Sequence, residues 1–89
     1  MNNEIIENAK EELDEIAELL YQENISSAYQ KIINVLPRLD LAFAEVGEGA
    51  ARDNLTEKLN LMLEAMENED YLLMADVIKY ELLEAMDDL

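Results

Sequence analysis

The sequence predicts an all-α fold: a single domain over residues 1–89, built as a four-helix bundle that runs up, down, up and down. Only two glycines and one proline occur among 89 residues, which leaves few positions for turns. Apolar residues make up 51% of the chain and recur every three or four positions, as on one side of a helix. Residues 1–46 and 47–89 share this pattern, and the pseudo-repeat indicates two helical hairpins.

The first helix is predicted to follow Asn3, a residue type that favours the N-cap position. Its apolar stripe has spacings of three and four and consists of Ile5, Ala9, Leu13, Ile16 and Leu20. The other side carries an acidic face that we expect to be solvated, formed by Glu7, Glu11, Glu12, Asp14, Glu15 and Glu18. Residues 22–24 end this helix, and Asn24 is predicted to cap the next one.

The second helix is predicted from an apolar stripe that continues to Val46, namely Ile25, Ala28, Ile32, Leu36, Leu39, Phe43 and Val46. Pro37 lies inside this stripe. Because proline lacks a backbone donor and clashes with the preceding turn, either the helix kinks there or a second short helix begins at that residue. The uninterrupted apolar phase favours the kink. Gly47 and Gly49 flank the predicted loop between the hairpins.

The third helix is predicted from Leu55, Leu59, Met62 and Met66, with Asn54 and Glu57 at the spacing of a capping box. A turn at residues 68–70 follows, and Asp70 is predicted to cap the fourth helix. Superposing residues 1–46 on 47–89 aligns this turn with residues 22–24. Two such hairpins form either one four-helix bundle or an obligate dimer of opened hairpins.

The last predicted helix, YLLMADVIKYELLEAMDDL, has more apolar residues than one buried stripe requires. A helical wheel centred on Ile78 turns one set towards the core: Tyr71, Met74, Ala75, Ile78, Leu82, Ala85, Met86 and Leu89. The far side carries Leu72, Leu73, Val77, Tyr80 and Leu83. Neighbouring helices could cover these five, or they could form an exposed surface that binds another chain. We predict them as interaction residues, together with Leu41 on the nearly neutral second helix.

Charge and composition argue against several classes of function. The formal net charge is −16, and a field of this sign repels nucleic-acid phosphate and anionic lipid, so neither is an expected partner. The sequence has no histidine and no cysteine, the commonest residues for general bases, metal ligands and thiol nucleophiles. Asp40 is the one acid expected to be partly buried, in a capping or ion-pair role. We predict no enzyme activity, no cofactor and no metal site.

No secretory signal and no apolar run of membrane-spanning length are recognisable, so a cytoplasmic location is expected. The segment ENEDYLLMADVIKYELLEAM resembles a pattern in small acidic helical proteins of unknown function from Gram-positive bacteria. The residues that carry the resemblance are Asp70, Tyr71, Ala75, Asp76, Tyr80, Glu81 and Leu82. In size, acidity and helicity the chain is also similar to bacterial export chaperones of the flagellar and type III kind. That similarity implies a helical surface that holds an apolar segment of a client.

The sequence favours a non-enzymatic protein-interaction module that uses the apolar face of the last helix. Its partner would be a second copy, giving a homodimer, or an unidentified protein that it serves as an adaptor or export chaperone. The competing interpretation is an acidic decoy that binds a basic protein through the acidic face of the first helix. Raised ionic strength would weaken a decoy complex steeply and an apolar complex little. A small enzyme is the third option.

Overall fold

Four helices make up the part of the chain that this computed structural model describes, residues 4–89. Helix α1 spans Glu4–Tyr21, α2 spans Ile25–Val46 and α3 spans Ala50–Glu67. Helix α4 is continuous but has three segments, which are α-helical Tyr71–Val77, π-helical Ile78–Leu82 and α-helical Leu83–Asp87. The predicted all-α, four-helix fold is therefore confirmed. The predicted cap at Asn3 lies outside the described residues.

Connections of three residues reverse the chain after each helix and produce the up-down-up-down order. Helix α1 packs against α2 and α4, whereas α3 packs against α4 and, less extensively, against α2. Helices α2 and α4 therefore occupy opposite corners of the bundle. The radius of gyration is 12.2 Å, which matches the value of about 12 Å expected for a folded domain of this length.

The two hairpins close with the same turn chemistry. Glu23 and Glu69 both adopt the left-handed backbone conformation, with φ of 62° and 55°. The next residue in each turn donates its N–H five residues back, from Asn24 to the Leu19 carbonyl at 2.8 Å and from Asp70 to the Ala65 carbonyl at 2.9 Å. This is the Schellman arrangement, here formed without the usual glycine. The pseudo-repeat thus extends to backbone geometry.

Two of the predicted features of the helix boundaries differ in the structure. The Asp70 side chain caps α4 as predicted, accepting a hydrogen bond from the Leu73 N–H at 3.2 Å. Asn24 precedes α2 but makes no capping side-chain hydrogen bond. The predicted capping box is wrong, because α3 begins at Ala50 and Asn54 lies inside it. Helix α2 continues through Pro37, so no second helix starts there.

The core is one apolar cluster, and no charged side chain among the described residues is buried. Helix α3 contributes only three buried residues to it, Leu55, Met62 and Ala65. In α1 it is Ile6 rather than the predicted Ile5 that turns inward. The expected partial burial of Asp40 is also wrong: that side chain lies on the outer side of α2 and is exposed.

The π-helical segment keeps the two ends of α4 in phase with the core. Met74 and Met86 are both buried, although residues twelve positions apart in a regular α-helix differ by about 120° in direction. The Leu83 N–H donates to the Ile78 carbonyl, five residues back, so the segment accommodates one extra residue. Taking out one step of about 100° leaves an offset of about 20°, and both methionines face inward.

Candidate interaction surface

Three of the six predicted interaction residues are exposed together on the outer side of α4. Leu72 and Tyr80 each keep 63% of their surface accessible, and Leu73 keeps 49%. Asp70 fixes the start of this helix through its capping hydrogen bond, and helices α1 and α3 cover its two flanks. The side of α4 that faces neither neighbour is the side that carries these three residues.

The predicted exposure of Val77 and Leu83 is not observed. Val77 is only 7% exposed and belongs to the core cluster, whereas Leu83 is half-buried against it. Val77 lies towards α3, where it lines a groove with Ala65. Leu83 lies towards α1, near Asp14. Both residues occupy the flanks of α4, which the two neighbouring helices cover.

Leu41 is exposed but lies far from the α4 residues. It is 59% accessible and sits on α2, at the opposite corner of the bundle. On that helix it continues a row of exposed uncharged side chains at four-residue spacing, with Ile33 and Pro37. The structure therefore separates Leu41 from the other predicted interaction residues.

Two exposed residues that the sequence analysis did not single out extend the α4 set across its neighbours. Leu61 on α3 is 39% exposed and lines a groove of about 350 Å³ with Leu73. Tyr21 at the end of α1 is 36% exposed and lines a hollow of about 520 Å³ with Leu72. We call the combined surface the α4-face patch; it consists of Tyr21, Leu61, Leu72, Leu73 and Tyr80.

A hydrogen bond between α1 and α4 satisfies the carboxylate nearest the centre of this patch. The Tyr21 hydroxyl donates to Asp76 Oδ1 at 2.7 Å. This bond, together with partial desolvation, raises the pKa of Tyr21 to about 12. The charge on Asp76 is therefore engaged by its neighbour, and the tyrosine ring is held beside α4.

Ion pairs between helices engage most of the other charges along α4. Lys79 bonds to Asp14 of α1 at 2.5 Å. Lys58 of α3 bonds to Glu81 at 2.8 Å, and Lys10 of α1 bonds to Asp87 at 2.6 Å. Such exposed pairs add little stability individually, but they engage all three lysines that lie along α4 and its flanks, Lys10, Lys58 and Lys79.

Acids without a basic partner form a rim around the patch. Glu64 lines the groove beside Leu73, and Glu84 lies one turn beyond Tyr80. We call the exposed acids in these positions the acidic rim; its members are Glu18, Glu23, Glu64, Glu69 and Glu84. No base within residues 4–89 forms an ion pair with any of the five. The surface therefore combines exposed apolar side chains, grouped around the hydrogen-bonded Asp76, with a negative edge.

The acidic face of α1, by contrast, is largely occupied by the chain's own bases. Glu12 pairs with Arg38, and Glu15 pairs with Lys31 at 3.1 Å. Glu7 and Asp14 likewise pair with lysines, Lys10 and Lys79. Four of the acids that the sequence places on this face are thus neutralised from within the molecule.

The described part of the chain shows neither a metal-binding cluster nor a membrane-spanning helix. No group of three or more acidic side chains there is arranged to hold a metal ion. None of the helices between residues 4 and 89 combines the length and the apolarity needed to cross a bilayer. Of the nine large apolar residues that are exposed in the described part of the chain, five belong to the α4-face patch.

Comparison with known proteins places the chain in a family. No curated protein matches it significantly, and neither does any solved structure. One family model covers residues 2–89, nearly the whole chain. On this match the chain belongs to the family described as a domain of unknown function, DUF8042.

Proposed function

We propose that the chain is a non-enzymatic protein-interaction module that binds its partner through the α4-face patch. The observation that carries the proposal is the exposure, side by side, of five large apolar side chains from three helices. Single exposed leucines are ordinary in soluble proteins, whereas a contiguous apolar patch with a polar edge is typical of contact surfaces. Tyrosine, present twice, is enriched in the buried centres of interfaces.

The patch is built on supported helices, which favours binding. The Tyr21–Asp76 hydrogen bond and the Lys79–Asp14 pair both join α1 to α4 beside the patch. Side chains held on packed helices lose less conformational entropy when a partner covers them than side chains on loops do. For the same buried area, a surface preorganised in this way binds more tightly, because less free energy is lost in ordering its side chains.

A catalytic role has less support from the same residues. Carboxyl groups that act as general acids or bases are commonly desolvated, and no charged side chain is buried within the described chain. The decoy interpretation also weakens, because four of the acids on α1 pair with the chain's own bases. The cytoplasmic location stays a prediction from the sequence.

Titration with a synthetic peptide tests the proposal. The probe is an amphipathic helical peptide with leucine at positions i, i+3, i+4 and i+7 and glutamine elsewhere. Binding is measured by changes in the amide chemical shifts of the isotope-labelled chain. We expect shifts at Leu72, Leu73 and Tyr80, and loss of binding in a Leu72→Ser/Tyr80→Ser variant. The matched control, Ile33→Ser/Leu41→Ser, removes two equally exposed residues from α2 and should bind as wild type does.

Sedimentation equilibrium of wild type and both variants completes the test. A dimer that only the α4 variant abolishes also supports the module and identifies a second copy as its partner. The proposal fails if the chain stays monomeric and the peptide either does not bind or shifts the α2 row instead.

A further inference from the structure

We infer that the partner segment of the α4-face patch is a basic amphipathic helix, with an apolar stripe over the patch and Lys or Arg along its edges. The inference rests on the proposed function and narrows its partner class. Two features carry it: the apolar patch runs parallel to a helix axis, and every free charge at its edge has the same sign.

The dimensions of the patch fit a helix laid along α4. Leu73 and Tyr80 are seven residues apart on α4 and are therefore separated by about 10 Å along its axis. Two turns of a second helix have nearly the same length, so its residues i, i+3, i+4 and i+7 can reach both ends of the patch. The groove between Leu61 and Leu73 can accommodate one apolar side chain of the docked helix. A partner that adds as a β-strand would need a sheet edge, and residues 4–89 contain no strand.

The acidic rim favours a partner segment that carries positive charge. Four of the rim's carboxylates, those of Glu18, Glu23, Glu64 and Glu69, lie beside patch residues, and Glu84 follows Tyr80 by four residues on α4. Charges on a docked helix would lie within reach of them, because screening acts over about 8–10 Å at physiological salt. A second copy of this chain would bring an identical acidic rim, and a formal charge of −16, against the first. A segment with Lys or Arg at its edges instead meets complementary charge.

The basic residues of the chain also indicate that its partner carries positive charge. Only six Lys and Arg residues are present, and five of them form ion pairs within the molecule, namely Lys10, Lys31, Arg38, Lys58 and Lys79. An acidic partner would have to compete with these internal pairs for positive charge. A basic partner needs no such exchange, because none of the five acids of the rim forms an ion pair with a base of the chain.

Three peptides with the same leucine stripe and with Lys, Gln or Glu at the flanking positions test the inference by fluorescence anisotropy. We expect the Lys peptide to bind at least about tenfold more tightly than the Gln peptide at low salt, and the Glu peptide to bind weakest. At about 0.5 M salt the three affinities should converge, because screening removes the charge contribution. A Lys peptide with the leucines scrambled should lose most of its affinity.

Paired variants separate the acidic rim from net charge. Glu64→Gln/Glu69→Gln/Glu84→Gln removes three of the five carboxylates of the rim and should remove most of the advantage of the Lys peptide. A remote triple variant, Glu45→Gln/Glu48→Gln/Asp53→Asn, removes the same charge near the loop between α2 and α3 and should retain most of that advantage.

The possible failures are distinguishable. Equal binding of the Lys and Gln peptides, equal effects of the two triple variants, or undiminished binding of the scrambled peptide each overturn the inference. In the first two cases peptide binding at the patch still upholds the proposed function. Dimerisation through the patch with no peptide binding replaces the basic helix by a second copy. Absence of both peptide binding and dimerisation defeats the proposed function as well.

Discussion

Tyr21, the last residue of α1, donates a hydrogen bond to Asp76 in α4 across 2.7 Å. The two residues are 55 positions apart in the sequence, so only the packing of the second hairpin on the first brings them together. The bond holds Tyr21 at the edge of the α4-face patch. Because the bond also raises the pKa of Tyr21, titration of this tyrosine reports whether α1 and α4 are in contact there.

Replacing Asp76 with Asn is expected to lower the pKa of Tyr21 from about 12 towards its ordinary value of 10.0. The hydrogen bond to the carboxylate is the main cause of the shift, and the amide carries no charge to oppose the tyrosinate. Absorbance titration of tyrosinate, taken as a difference from a Tyr21→Phe variant, measures it. Glu18→Gln is the control and should have a smaller effect. An unchanged pKa in Asp76→Asn would show that the bond does not form in solution.

Stability is expected to fall at alkaline pH. Hydrogen bonds to Asp87, Glu81 and Asp14 raise the pKa values of Lys10, Lys58 and Lys79 above 10.5. A pKa that folding raises contributes stability that is complete below the unfolded value and is lost as pH rises through the folded value. The urea midpoint should therefore be steady up to about pH 10 and drop as the pH rises through and beyond about 10.5. The drop in the urea midpoint should be smaller in the Lys58→Gln/Lys79→Gln variant. A drop as large as that of wild type would mean that groups other than these two lysines cause the loss of stability.

Truncation should separate the core side of α4 from its outer side. Val77→Ala removes buried methyl groups and is expected to lower the free energy of unfolding by about 1–3 kcal/mol. Leu72→Ser acts at an exposed position and should change it by less than about 0.5–1 kcal/mol. Urea denaturation measures both values. Equal losses would mean that Leu72 is covered in solution, by the chain itself or by a second copy.

Deleting Tyr80 is expected to leave a cooperatively folded bundle. The deletion removes the extra residue of the π-helical segment, so a regular α-helix can keep Met74 and Met86 in phase. Deleting Glu11 from the regular helix α1 is the control, and it should rotate half of that helix by about 100° out of the core. Thermal melts followed by circular dichroism compare the two. A Tyr80 deletion as damaging as that of Glu11 would contradict the role assigned to the π segment.

Glycine in the two hairpin turns is expected to stabilise the fold. Glu23 and Glu69 hold positive φ angles, which cost an L-residue roughly 1–2 kcal/mol relative to glycine. Part of that gain is offset by the greater freedom of glycine in the unfolded chain. Each of Glu23→Gly and Glu69→Gly should therefore raise the free energy of unfolding by about 0.5–1 kcal/mol. Glu48→Gly in the connecting loop is the control; a loss of stability in both turn variants would contradict the Schellman geometry.

The helices were predictable because their apolar stripes repeat at the helical period, and that pattern depends on neighbouring positions alone. The start of α3 was not, because Asn54 and Glu57 have the spacing of a cap while the chain turns helical earlier, after Gly49. The π segment left no pattern that the sequence analysis recognised. The spacing of its apolar residues is compatible with a regular α-helix as well as with a π-helical segment, and only the position of the core distinguishes the two.

The candidate surface was only partly predictable. The helical wheel placed five residues on the far side of α4, of which Leu72, Leu73 and Tyr80 are exposed in the structure while Val77 and Leu83 are not. Those two lie on the flanks, and whether a flank is covered depends on where α1 and α3 pack. Tyr21 and Leu61 carried a weak signal, being large apolar residues outside the stripes of their own helices. Nothing local indicated that they border α4.

The sequence by itself determined the fold class, the two hairpins, the negative charge and the absence of histidine and cysteine. All of these follow from composition or from periodicity within one helix. Only the tertiary structure decided which apolar residues of α4 stay exposed, which residues of α1 and α3 join them and which acids remain free beside them. Burial and ion pairing depend on neighbours that are distant in the chain, so they are properties of the packed bundle and not of any single helix.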